Sequence, residues 1–108
     1  MKRLLFTFAF MLLMQFCMSQ SLNATYQTEW GEMTLTQSGT QVTGTYTHEN
    51  GKIKGVLNGK TLTGTWTQTS GKHGKFRFEF NDDFSSFTGK WNYNDAEPTK
   101  VGWNGKRK

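Results

Sequence analysis

The segment Val42-Thr43-Gly44-Thr45-Tyr46 is repeated almost unchanged as Leu62-Thr63-Gly64-Thr65-Trp66 and returns as Phe87-Thr88-Gly89-Lys90-Trp91. Side chains on a β-strand point alternately to opposite faces, so the first copy puts Val42, Gly44, Tyr46 and His48 on one face and Thr43, Thr45 and Thr47 on the other. Alternation this strict predicts antiparallel strands with one side in a core and the other in water. An inward glycine two residues before a large ring leaves room for an aromatic from a neighbouring strand and lets a sheet coil tightly, as a small barrel requires. No helix signal follows any of these glycines, which removes the geometry of a phosphate-cradling loop.

The repeat lies within one compact unit. Met1-Lys2-Arg3 precedes an almost unbroken apolar run over residues 4–18, the pattern of a secretory signal peptide, with cleavage expected near Ser19-Gln20 or after Ser21. Residues 1–19 are therefore read as leader and residues 20–108 as a single domain, secreted or periplasmic, with no membrane insertion after cleavage. The one cysteine, Cys17, lies in the leader, preceded by Gln15-Phe16 where a lipid-anchored protein would carry small residues. Its loss would leave a domain without disulfides, thiol chemistry or cysteine metal ligands. Two of the thirteen basic residues, Lys2 and Arg3, would leave with the leader, against eight acidic ones, so the domain is mildly basic. The remaining lysines are spread over several turns and Lys106-Arg107-Lys108 reads as a solvated tail. No nucleic-acid partner is expected.

Eight strands are predicted: 25–30, 32–37, one beginning at Val42, 53–57, 60–69, 76–80, 87–93 and a short last strand at 101–103. Turns are signalled by Ser38-Gly39, an Asn-Gly pair within Glu49-Asn50-Gly51-Lys52, a second at Asn58-Gly59, the longer loop 70–74, and Asn81-Asp82-Asp83. No helix is expected. Short strands joined by hairpins predict an all-β antiparallel up-and-down meander closed into an eight-stranded barrel, with a two-sheet sandwich as the alternative. Few other large apolar residues are available, so the aromatics must pack against each other and any cavity must be small and near one mouth.

Met33-Thr34-Leu35, Thr43-Gly44-Thr45-Tyr46, Gly74 before an alternating strand, Phe87-Thr88-Gly89 and the late Trp103 occur in an order that resembles the calycin-like meander barrels, lipocalin-like and especially avidin-like. The resemblance spans most of residues 20–108. It implies a small-ligand barrel in which Tyr46 contacts the ligand, with Trp103 second. The chain departs from the avidin pattern where the loop after that strand is reduced to His48-Glu49-Asn50-Gly51 and where Phe78 and Phe80 replace a ligand-stacking Trp, so biotin is not the expected ligand.

For catalysis the inventory is thin. His48 and His73 fall in or beside turns with no Ser or Asp spaced as a triad, and no third ligand suggests a metal. Asp82 and Asp83 are adjacent on a turn, and Glu29, Glu32, Glu49 and Glu79 take outward or turn positions that do not face each other across a cleft. Neither an enzyme nor a cofactor is expected. The expected function is an exported binding module that takes an unknown small ligand or glycan at an aromatic-lined mouth, with Tyr46, Trp66, Trp91 and Trp103 as candidate contacts. Two alternatives stand beside it. One is a protein-interaction or inhibitor module acting on a secreted partner through loops 70–74 and 95–100; the other is ice-like surface binding through the Thr-x-Thr ladders.

Overall fold

The computed structural model describes residues 22–108. Eight strands follow in order: β1 (Ala24–Thr28), β2 (Gly31–Ser38), β3 (Gln41–Tyr46), β4 (Gly51–Asn58), β5 (Thr61–Thr67), β6 (His73–Phe80), β7 (Ser86–Tyr93) and β8 (Gly105–Arg107). A 3-10 turn, His48–Asn50, joins β3 to β4. Each strand pairs antiparallel with the next, and β8 pairs with both β7 and β1, so the meander closes into a barrel. The sandwich alternative fails on that closure: the ladder Tyr26↔Arg107, Gln27↔Lys106 and Thr28↔Gly105 leaves no free edge between first and last strand. The expected leader, its cleavage point and Cys17 lie outside the described residues.

Every strand divides its faces as the alternation demands. Val42, Tyr46, Leu62, Trp66, Phe76, Phe78, Phe80 and Phe87 are buried with Tyr26, Met33, Leu35, Ile53 and Trp103. The Thr positions point outward, Thr34 opposite Thr45 and Thr36 opposite Thr43. They do not make one continuous hydroxyl array, because Lys52 and Lys54 of β4 stand between the threonines of β3 and those of β5. The interior lysines are spread over connections, as Lys60 and Lys72 show, and over strands as well. Lys52, Lys54, Lys75 and Lys90 take outward strand positions, with Arg77 paired opposite Lys90 and Lys75 opposite Thr65.

The barrel is narrow because rings fill the space that glycines leave vacant on the adjacent strand. Four cross-strand partners have this form: Tyr46 with Gly51, Trp66 with Gly74, Phe78 with Gly89 and Phe87 with Gly105. A Cβ added at Gly51 would lie 2.0 Å from the Tyr46 ring, and one at Gly105 2.1 Å from the Phe87 ring. At Gly64 the space is closed by backbone instead of the aromatic expected there: an added Cβ would meet the Lys54 carbonyl at 2.0 Å and the Gly55 Cα at 2.5 Å. Gly55 and Gly64 are register partners, so two strands press backbone to backbone on the inner face.

The last strand is displaced from its expected position. Val101-Gly102-Trp103 has the alternation of a strand, but Gly102 takes φ +101°, turning the chain so that Val101 is exposed and Trp103 is buried in the barrel. The pairing is made instead by Gly105–Arg107, whose one inward residue is the glycine beneath Phe87. Lys106-Arg107-Lys108 is thus not a free tail: the Lys108 amide donates to the Thr25 carbonyl at 2.9 Å and the Arg107 amide to the Ser85 carbonyl at 2.8 Å. The first strand also stops short of its expected end, leaving Trp30 in the β1–β2 turn. The turn before β4 is longer than a two-residue Asn-Gly hairpin, with Glu49 and Asn50 both at positive φ and Tyr46 paired with Gly51.

Both Gly64→Ala and Gly89→Ala force a methyl group against backbone carbonyls, of Lys54 at 2.0 Å and of Trp103 at 2.2 Å. Each should lower stability by about 2 to 3 kcal/mol through overpacking, while Thr65→Ala on the exposed face should change it by less than about 0.5 kcal/mol. Chemical denaturation checks this, and equal midpoints for all three variants would contradict the packing described.

Candidate functional site

In an up-and-down meander the connections alternate between the two ends of the barrel, so the β1–β2, β3–β4, β5–β6 and β7–β8 connections gather at one end. Odd-numbered strands run toward that end, and each of β3, β5 and β7 carries aromatic residues near its close: Tyr46, Trp66, and Trp91 with Tyr93. A cavity of about 100 Å³ lies among them. All four candidate residues, Tyr46, Trp66, Trp91 and Trp103, line it, together with Trp30 and Tyr93. Its polar lining comes from the connections: His48, Gln68 and Lys72.

Each ring is held by a different neighbour. Trp103 sits deepest, packed against Phe78 at 5.1 Å and Phe76 at 6.1 Å between ring centres, and meets the edge of Tyr46 at 5.1 Å. Tyr46 takes that position because Gly51 offers no side chain to displace it. Its hydroxyl accepts a hydrogen bond from the Gln68 side-chain amide at 2.9 Å. Trp66 donates its indole N–H to the Asn92 carbonyl at 3.2 Å. Trp91 stands edge-on to Trp66, Trp30 and Tyr93, at 6.0, 5.8 and 5.1 Å, and so joins the deep rings to the outer ones. Trp30 in turn packs on the His48 imidazole at 5.0 Å.

The hydrogen bonds leave a specific deficit. The indole nitrogens of Trp30, Trp91 and Trp103 are buried without a hydrogen-bond acceptor, whereas that of Trp66 has one. Edge-to-face packing offers an N–H at most a ring face, a weak acceptor. A buried donor without a partner costs about 1 to 3 kcal/mol, so three on rings that line one small cavity form an arrangement that an acceptor brought within their reach would relieve. No carboxylate lines the cavity. Glu49, on the adjoining turn, lies beside His48 at 3.4 Å, its other oxygen buried without a partner.

Burial pushes the Tyr46 phenol above its ordinary pKa, outweighing the opposing effect of the Gln68 hydrogen bond. The hydroxyl therefore stays protonated at neutral pH. Tyr26, which donates to the Phe84 carbonyl away from the cavity, is raised by burial too. Among the described residues no group of three His, Cys, Asp or Glu side chains comes together in a way that could hold a metal ion. His73 opens β6 and is exposed, and Asp82 and Asp83 occupy the β6–β7 turn at the opposite end, where Asp83 accepts from the Ser85 amide.

Sequence reasoning missed Trp30, Tyr93, His48, Gln68 and Lys72 as lining residues. A usable signal existed for Tyr93: once a meander is assumed, the last residues of odd strands share one end. The alternation over 25–30 places Trp30 on one strand face with Tyr26 and Thr28, and nothing in it marks a turn residue. Comparison with protein families, curated proteins and solved structures finds no match for this chain.

The raised tyrosine pKa values carry a stability consequence with a definite sign. When the folded pKa exceeds the unfolded value near 10, the fold favours the neutral phenol, so the contribution is complete below about pH 10 and is lost as pH rises through the folded pKa. The denaturation midpoint should hold from about pH 8 to 10 and fall above it, with a shallower fall in Tyr46→Phe. An identical alkaline slope in wild type and variant would show that Tyr46 ionises without resistance from the fold.

Proposed function

We propose that this protein is an exported, non-catalytic binding module that takes a small molecule or the end of a glycan at the aromatic end of its barrel. The observation that carries the reading is the trio of buried indole N–H groups, on Trp30, Trp91 and Trp103, that lack acceptors around one cavity. Core tryptophans normally place their N–H against a partner, as Trp66 does with Asn92. Tyr46, which the likeness to avidin-like barrels marks for ligand contact, belongs to the same lining and supports the same end of the barrel.

Ring faces suit the apolar faces of sugars and planar molecules, and the surrounding connections supply polar groups that fix orientation. A binding role also accords with the side chains present: the lining offers His48 and Lys72 but no carboxylate or nucleophile to share a proton-transfer step with them. The cavity is smaller than the roughly 300 Å³ lower bound of drug-sized pockets, so only part of a ligand would be enclosed.

Intrinsic tryptophan emission tests this directly, since Trp30, Trp66, Trp91 and Trp103 all border the cavity. Titration with a panel of glycans, fatty acids and small aromatic compounds should give a saturable change for one chemical class. Replacing Trp91 by Phe, which keeps a ring but removes a donor, should weaken that binding about tenfold. Silence across the panel from a folded protein would overturn the reading and direct attention to protein partners of loops 70–74 and 95–100.

A further inference from the structure

We infer that the group received by this cavity is a carboxylate, the terminus of an organic acid whose remaining atoms lie outside among the connections. The inference rests on the mouth being a binding site, as proposed above, and adds the chemistry of what enters it.

Three properties of the lining converge. The first is polarity. The unpaired groups on the residues that line the cavity are donors, the indole N–H groups of Trp30, Trp91 and Trp103, while the one unpaired acceptor, Glu49 Oε1, belongs to a residue outside the lining; the Tyr46 hydroxyl keeps its proton for donation while its oxygen accepts from Gln68. A carboxylate is acceptor-only, with two oxygens and about four lone-pair sites, so it can meet several donors at once where a hydroxyl or an amide would bring donors of its own.

The second is charge. Lys72 lines the cavity, forms no ion pair among the described residues and faces no carboxylate in the lining. Glu49, the nearest acid along the chain, is held beside His48 and does not line the site. An exposed ammonium without an ion pair at the rim of a cavity walled by aromatic rings favours an anion over a neutral ligand of the same shape. Charge-assisted hydrogen bonds to a carboxylate are about twice as strong as neutral ones, which sets this group apart from an ester or amide of the same shape.

The third is size. A volume of about 100 Å³ is well below the roughly 300 Å³ of drug-sized pockets and suits a small terminal group such as a carboxylate. The larger part of a sugar or of a longer acid would lie outside it. Tyr93, 40% exposed, together with Trp30 and His48 offers surfaces on which the outer part of such an acid could lie. A uronic acid and a short fatty acid present the same terminus, and the two are separable by experiment.

The test uses ¹H–¹⁵N spectra of the protein, in which each indole N–H gives its own signal. The probes are two matched pairs, hexanoate with hexanamide and glucuronate with glucuronamide. The expected result is a saturable downfield shift of the Trp30, Trp91 and Trp103 indole signals with at least one acid, smaller at Trp66, whose N–H is already bonded to Asn92. The acid that binds more tightly identifies the aliphatic or the glycan source. Lys72→Met, a change on an exposed loop, should weaken the acid about tenfold and its amide by much less, so that the preference for the acid collapses. Amides that bind as tightly as their acids, or a Lys72→Met variant that retains the full preference, would overturn the carboxylate while leaving the binding reading intact. Indole signals unmoved by all four probes would overturn the carboxylate inference, and the fluorescence panel would then decide the binding reading separately.

Discussion

The packing of a large ring into the space left by a glycine on the neighbouring strand is the constraint on which the barrel depends. Eight short strands enclose a narrow interior, and inward rings at every alternate position would overfill it. Pairing Tyr46, Trp66, Phe78 and Phe87 with Gly51, Gly74, Gly89 and Gly105 lets each ring lie across its partner strand. The backbone contact between Gly55 and Gly64 tightens the curvature on another part of the wall. Without these glycines the same aromatic residues could be accommodated only by a wider or more open sheet.

That packing also decides what is left at each end. Toward the interior the rings fill the barrel: Phe76, Phe78, Phe87 and Trp103 are each less than 5% exposed. Where the odd strands end, the rings belong to several separate connections and no longer interlock completely, and the cavity forms there. Tryptophan suits this place because its ring packs like a core residue while its N–H still needs an acceptor. One of the four, Trp66, finds it in the Asn92 carbonyl; the other three do not. A fold stabilised by aromatic packing thus carries unsatisfied donors on rings that line a polar-rimmed cavity, which is the physical basis for the ligand proposed here.

Strand alternation made much of the architecture readable in advance. The repeats of the form x-Thr-Gly-x-aromatic placed β3, β5 and β7 and their inward faces, and the candidate rings Tyr46, Trp66, Trp91 and Trp103 all line the cavity. The places where reading failed share one cause. β8 carries no inward side chain to announce it, since its inward residue is a glycine covered by Phe87. Val101-Gly102-Trp103 alternates like a strand, yet the positive φ of Gly102 spends that pattern on a turn that tucks Trp103 inside. Trp30, by the same local criterion, belonged to a strand and instead caps His48 from a turn. The lysines looked dispersed along the chain because adjacent strands bring together residues far apart in sequence, as Arg77 and Lys90 show.

The sequence by itself determined the all-β meander, the division of strands into an apolar and a polar face, and four of the rings that line the cavity. These are local properties: a period of two and a turn residue act over a few positions and need no knowledge of distant partners. Only the tertiary structure decided that the sheet closes through Gly105–Arg107, which glycine accommodates which ring, and which indoles remain without acceptors. Those outcomes depend on register between strands and on the volume enclosed when the first strand meets the last, quantities that exist only once the barrel is formed.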